Sequence, residues 1–288
     1  MKNICFFIND KEDILNTTSL LSYLKIKKDI YELYNIYFAS DNVKTEERLR
    51  LFGYNMDKDI EYDLVIFFDH TSDSIKYKKS LNIQKYLYQN LDIYNSIRAN
   101  YYLTISSQYS ELLKTEYRKR NVNILGLPKL DKYKDYKLYK NECAGVLISN
   151  AEMWDDSLFK INKWTGLNIF LLGNDGDFYS MVGMSPRIYK NYVQFLKGSN
   201  YIICDNSRTV IEMIALGKTA ILISEFEEDK KYFKDTYNIT SCSFNELLNV
   251  IENNKFERVN NKNSFTKIDN VGMSSMFFWD YMYNILYL

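Results

Sequence analysis

Short unbroken apolar runs recur along this chain, and a longer amphipathic segment follows most of them. That alternation leaves few folds open. A run that is apolar on both faces is a strand buried on both sides, and strands each followed by a helix pair in parallel, with the helices covering the sheet. In the first half the runs are Ile4 to Ile8, Tyr34 to Ala39, Leu64 to Phe68, Tyr102 to Ile105 and Val122 to Leu125. The segments predicted as helices between them are Ile14 to Leu24, Thr45 to Phe52, Ser80 to Leu91 and Tyr109 to Arg120.

After Leu125 the stretch Gly126-Leu-Pro-Lys-Leu-Asp131 marks a chain reversal, and the polar tract Lys132 to Glu142 reads as a linker. A second series begins there. Its predicted strands are Gly145 to Ile148, Asn168 to Leu172, Tyr201 to Cys204 and Thr219 to Ile223; its helices are Glu152 to Trp164, Tyr189 to Lys197, Thr209 to Leu216 and Phe244 to Glu252. The end of the chain, Ser274 to Leu288, is apolar and aromatic at helical spacing, so it must pack on something.

Composition narrows the partners. Apolar residues at 46% and charged residues at 26% are globular values, and 37 basic residues balance 37 acidic ones, which removes any electrostatic reason to expect nucleic acid. Cys5, Cys143, Cys204 and Cys242 are scattered with no Cys-x-x-Cys spacing, so buried free thiols in a reducing compartment are expected, and no metal site. The run from Met1 to Ile8 stops at Asn9-Asp10-Lys11-Glu12-Asp13, too soon for a secretory signal, and no apolar segment has the length of a membrane span. A soluble, cytoplasmic protein is the expectation.

One stretch concentrates the chemistry: Tyr201 to Ser224, which reads as strand, turn, short helix and strand. Its turn, Asp205 to Thr209, falls beyond the carboxyl end of a strand, where open sheets bind ligands and where a helix N-terminus favours phosphate. Asn206, Ser207, Arg208 and Thr209 supply hydroxyls, amides and a guanidinium for an anion; plain N-capping explains the same residues. Asn150 and Asn174 stand at predicted strand ends and would line the same site. His70 is the single histidine, directly after a buried strand, and with Asp69 beside it is the candidate catalytic base; Asp73, Asp10 and Asp13 are further acids at strand ends. Helix N-terminal placement accounts for Asp10 and Asp13 equally well.

Three stretches resemble the GT-B superfamily, nearest in pattern to UDP-GlcNAc 2-epimerases and CDP-glycerol glycerophosphotransferases. Gly126 to Asp131 matches a Gly-x-Pro-x-x-Asp at the junction of two domains. Pro186 to Leu196 looks like a Pro-x-x-Tyr-x-x-Phe segment. Asp205 to Glu212 with Ala215-Leu-Gly-Lys218 is similar to Asp-Ser-Gly-Gly-x-x-x-Glu followed by Leu-Gly-Lys-Pro. The chain departs from the pattern in placing Arg208-Thr209 where the glycine pair stands and Thr219 for the proline, and in lacking a glycine-rich loop after the first strand.

The resemblance implies an α/β fold of two Rossmann-like domains facing a cleft: residues 1–131 on the acceptor side, 132–268 binding nucleotide, and a C-terminal helix, 269–288, crossing back to the first domain. It implies that Glu212 holds a nucleotide ribose, against which stands a capping box, Thr209-x-x-Glu212, that fails if the helix starts at Asn206 or Ser207. Arg187 and Ile188 would read the base edge with backbone groups. The implied activity is a metal-independent transfer from a nucleotide-activated sugar or polyol phosphate to a carbohydrate or lipid-linked acceptor hydroxyl, in cell-surface polysaccharide synthesis, without a cofactor. Peripheral contact with the inner face of a membrane goes with such acceptors. The alternatives are a nucleotide-sugar 2-epimerase or hydrolase, and a catalytically inactive binding subunit.

Overall fold

In the computed structural model of the chain, Lys2–Phe7 (β1) is paired in parallel on both sides, with Tyr34–Ala39 (β2) and Tyr62–Phe68 (β3). Its alternate residues go to different cores. Ile4 and Phe6 meet Leu64, Ile66 and Phe68 of β3 on one face, while Cys5 and Phe7 meet Val65 and Phe67 on the other. This is why the runs show no alternation in sequence: both faces are covered. The structure describes residues 1–51, 53–57, 59–87, 91–133, 144–149, 154, 167–171, 187–188, 192–199, 201–253 and 267–288. They divide into two units, Met1–Lys132 with Lys267–Leu288, and Tyr133–Thr266.

The first unit holds a six-stranded parallel sheet in the order β2-β1-β3-β4-β5-β6, completed by Tyr77–Ile83 (β4), Tyr101–Thr104 (β5) and Val122–Ile124 (β6). Helices are Lys11–Ile26 (α1), Lys28–Tyr31 (α2), Val43–Leu51 (α3) and Ser107–Thr115 (α4). β4 corrects the sequence reading, which expects a helix from Ser80 to Leu91. Its polar residues Ser80 and Asn82 are buried and bond to loop groups: Ser80 N–H and Oγ–H donate to Asn100 Oδ1 at 2.8 and 3.1 Å, and Asn82 Nδ2 donates to His70 O at 3.0 Å; just past the strand, Gln84 Nε2 donates to Tyr86 O at 2.7 Å. Those side chains made a central strand look amphipathic.

The C-terminal helix, Ser274–Tyr287, belongs to this first unit. Phe278, Trp279 and Met282 enter the core beside Leu20 and Leu24 of α1, and Trp279 Nε1 donates to Leu20 O at 2.8 Å. The Gly126 to Asp131 motif is its clasp. Asp131 accepts the Ser274 and Ser275 N–H groups at 2.9 and 2.7 Å, so a carboxylate seats the start of the helix. Gly126, at φ +92°, leaves no room for a side chain: a Cβ there would lie 2.3 Å from Asp269 O.

The second unit has its own six-stranded parallel sheet in the order β12-β11-β10-β7-β8-β9. Its strands are Ala144–Ile148 (β7), Leu167–Leu171 (β8), Arg187–Ile188 (β9), Tyr201–Cys204 (β10), Thr219–Ile223 (β11) and Thr240–Cys242 (β12). Described helices are Tyr192–Gly198 (α5), Ser207–Ala215 (α6), Glu227–Tyr237 (α7) and Phe244–Glu252 (α8). Apart from Trp154, the helix expected from Glu152 to Trp164 lies outside the described residues. α7 and β12 were not anticipated: α7 is mostly charged, and β12 is a three-residue edge. Neither gives a hydrophobic period long enough to read.

Candidate functional site

The order of the second sheet reverses at β7: β8 and β9 lie on one side of it, β10 to β12 on the other. The crevice beyond the carboxyl ends of β7 and β10 is therefore the switch point, the place where open α/β sheets receive ligands. Asp205, directly after β10, spans it. Its carboxylate accepts Ser149 N–H at 2.9 and 3.1 Å, Ser149 Oγ–H at 2.7 Å and Trp154 Nε1–H at 2.8 Å. The turn out of β10 is thus locked to the turn out of β7.

α6 starts one residue beyond Asn206, whose Oδ1 accepts the Arg208 and Thr209 N–H groups at 3.0 and 3.2 Å. The cap is Asn206, so the Thr209-x-x-Glu212 capping box does not form; local spacing fits both registers, and the earlier start decides. Ser207 is half-buried and Arg208 exposed, while Thr209 is buried. Glu212, 1% exposed, instead receives the Tyr192 hydroxyl on Oε1 at 3.0 Å. The structure brings Asn206 to Glu212 together with Ser149, Trp154 and Tyr192. Arg187 and Ile188 form β9, two strands from β7 at the sheet edge. Asn150 and Asn174 lie outside the described residues.

In the first unit the reversal falls between β1 and β3. Asp69, after β3, takes a left-handed backbone at φ +54°, and its carboxylate accepts Lys85 N–H at 2.7 Å and the Tyr94 hydroxyl. It is a backbone tie. His70 Nδ1 lies 2.6 Å from Phe68 O and donates to it, which leaves Nε2 as the acceptor nitrogen. The ring packs on Phe7 and Phe67 with centroids 5.6 and 5.5 Å away, and Nε2 is buried with no hydrogen-bond partner among the described residues. Burial pulls its pKa below the ordinary histidine value, against the bond to Phe68 O, so the ring is neutral at pH 7.

Beside these lies a charged cluster that the sequence did not reveal. Asp10 and Asp13 form a capping box at the start of α1 and share the Lys85 ammonium at 2.6 and 2.9 Å. Glu12 pairs with Lys129 at 2.6 Å, and both lysines lie over the Tyr86 ring. Burial opposes the Lys85 charge, but the Asp13 and Asp10 carboxylates outweigh it and hold the ammonium well above its ordinary range. The acids are visible in the sequence; the cations are not, because Lys85 falls in a stretch whose spacing reads as a helix and Lys129 in the Gly126 to Asp131 turn. Of the cysteines, Cys5, Cys204 and Cys242 are buried and form no disulfide; burial pushes the Cys242 thiol up to about 12, so it is not a nucleophile at neutral pH. No group of three or more His, Cys, Asp or Glu suited to a metal occurs among the described residues, and no described helix is long and apolar enough to cross a membrane.

No family model and no curated protein matches the sequence. Solved structures do match the fold. A UDP-GlcNAc 2-epimerase from Neisseria meningitidis bound to UDP-GlcNAc superposes with a TM-score of 0.54 at 12% identity, over 99% of this chain and 100% of that one. A variant of the wall teichoic acid polymerase TagF soaked with CDPG gives 0.60 at 11%, over 99% and 88%. A UDP-GlcNAc 2-epimerase from Methanocaldococcus jannaschii gives 0.51 at 10%, over 97% and 99%. At such identities the likeness shows the fold: an α/β chain with two Rossmann-like units of the GT-B class.

Proposed function

We propose that the second unit binds a nucleotide-activated sugar or polyol phosphate at the turn Asp205 to Thr209, and that the chain transfers the activated group to a hydroxyl of a carbohydrate or lipid-linked acceptor in polysaccharide synthesis. The observation that carries this reading is the Asp205 clasp, which fixes the turn at the switch point of the sheet with Arg208 exposed beside a helix N-terminus. Asn206 already occupies two of the first-turn amides, so the departing phosphate is met chiefly by the Arg208 guanidinium, the Ser207 hydroxyl and the helix dipole. These offset its growing charge without a metal. Glu212 takes the ribose hydroxyls, and backbone groups of Arg187 and Ile188 the base. The ligands of two structural neighbours, UDP-GlcNAc and CDPG, are of this class.

The test is a thermal-shift series with UDP, CDP and GDP. A nucleotide at 100 times its dissociation constant adds about 2.7 kcal/mol of stability, and Arg208→Ala should remove most of that gain. An unchanged shift in the variant ends the assignment. His70, neutral with Nε2 as its acceptor nitrogen, is the base this reading uses; His70→Asn should stop transfer while leaving the nucleotide shift intact, and full turnover in that variant excludes it. A 2-epimerase is the second reading, favoured by the carboxylates Asp10, Glu12 and Asp13 grouped at the end of β1. Incubation with UDP-GlcNAc and no acceptor separates the two, because only the epimerase alters the sugar.

A further inference from the structure

The Pro-x-x-Tyr-x-x-Phe pattern that Pro186 to Leu196 resembles has its first two fixed places filled here by Pro186 and Tyr189, and Tyr192 stands where the pattern has phenylalanine. The exchange adds one hydroxyl. That hydroxyl donates to Glu212 Oε1 at 3.0 Å, with Tyr192 3% and Glu212 1% exposed. The Tyr192 ring is held against Phe170, centroids 5.1 Å apart, and Phe170 against Phe195 at 5.6 Å, so the phenol is fixed in its aim at the carboxylate.

We propose that Tyr192 is a specificity-determining residue: in the empty protein its hydroxyl takes the place on Glu212 that a ribose hydroxyl of a ribonucleoside diphosphate would occupy. This rests on the reading of Glu212 as the ribose-holding carboxylate. Burying a carboxylate is costly unless donors meet it, and the phenol is one such donor in the free protein. A ribose hydroxyl must therefore displace or share an internal donor that is already in position. With phenylalanine at this place the empty protein loses a hydrogen bond, and the ligand restores one. Stability lost by the free state then returns as affinity.

The experiment compares the native protein with Tyr192→Phe, Glu212→Gln and the double variant, by calorimetry and thermal shift. The probes are UDP, CDP and GDP, and the 2′,3′-dideoxy form of whichever binds. Tyr192→Phe should melt lower when empty and bind the ribonucleotide about tenfold more tightly, the low end for one hydrogen bond to a charged group. It should bind the dideoxy form no better, and the gain should vanish on the Glu212→Gln background. A simple packing role for the tyrosine would lower the melting point without changing the preference for ribose. Equal or weaker ribonucleotide binding by Tyr192→Phe overturns the inference, as does a gain that persists with the dideoxy form or with Glu212→Gln. Should no nucleotide bind either protein, or should Arg208→Ala bind as well as the native chain, the nucleotide reading falls and this inference with it. If binding depends on Arg208 and Tyr192→Phe brings no gain, the inference about Tyr192 fails alone.

Discussion

Removing the Asp131 carboxylate tests whether the Gly126 to Asp131 motif acts as the clasp of the C-terminal helix. The two bonds to Ser274 and Ser275 N–H, at 2.9 and 2.7 Å, are charge-assisted and sit at the positive end of a 14-residue helix. Hydrogen bonds to charged groups contribute about 1.5–3 kcal/mol each. Water cannot replace them readily, since Ser274 and Ser275 are buried. Burial also raises the Asp131 carboxyl above its ordinary pKa, against the pull of the two serines, and this desolvation cost reduces the net gain. Asp131→Ala should therefore cost the first unit about 3 kcal/mol. Asp131→Asn should cost about half that, because one amide oxygen still accepts while the NH2 faces the second donor.

The helix should not detach. Phe278, Trp279 and Met282 are fully buried, and each such side chain contributes about 1.5–3 kcal/mol by burial. The loss should thus be local to the first turn. Hydrogen exchange read by mass spectrometry should show faster exchange at Ser274 to Phe277 than at Phe278 to Tyr287, with urea unfolding giving the total. A loss under about 1 kcal/mol, or unchanged protection of Ser274 and Ser275, would refute the clasp.

Two further substitutions probe buried charge. Burial, with the Lys197 charge adding, lowers Lys218 from 10.5 to about 8. Between those values the unfolded chain binds a proton that the folded chain does not, so on this group's account stability rises with pH from about 8 to 10.5, and Lys218→Met should flatten that rise; identical melting-temperature slopes in the two proteins would count against it. Lys85→Met strips the ammonium from Asp10 and from the fully buried Asp13, and should cost about 3–5 kcal/mol in urea unfolding, part of it recovered by Asp13→Asn in the same chain. A cost near zero would mean that the two acids find other partners.

These residues also mark where the sequence could be read and where it could not. β1 and β3 were legible because each side of the strand is apolar, so a run of residues states its own burial. β4 was not, because Ser80 and Asn82 are buried with partners in loops, and a polar residue met by a group distant in sequence leaves no local trace. Gly126 and Pro128 signalled a reversal, but the demand for glycine comes from Asp269, far along the chain and unreadable from the turn itself.

The turn at Asp205 shows the same division inside a site. Its place at the end of a strand was legible from an apolar run meeting polar residues. Which side chain caps the helix was not, since Asn206, Ser207 and Thr209 are all competent caps and only the backbone register chooses among them. That choice frees Glu212 from the capping box and leaves it to Tyr192. Motif spacing locates a carboxylate; what it does is decided by the donor that packing puts in front of it, and here that donor comes from another helix, α5.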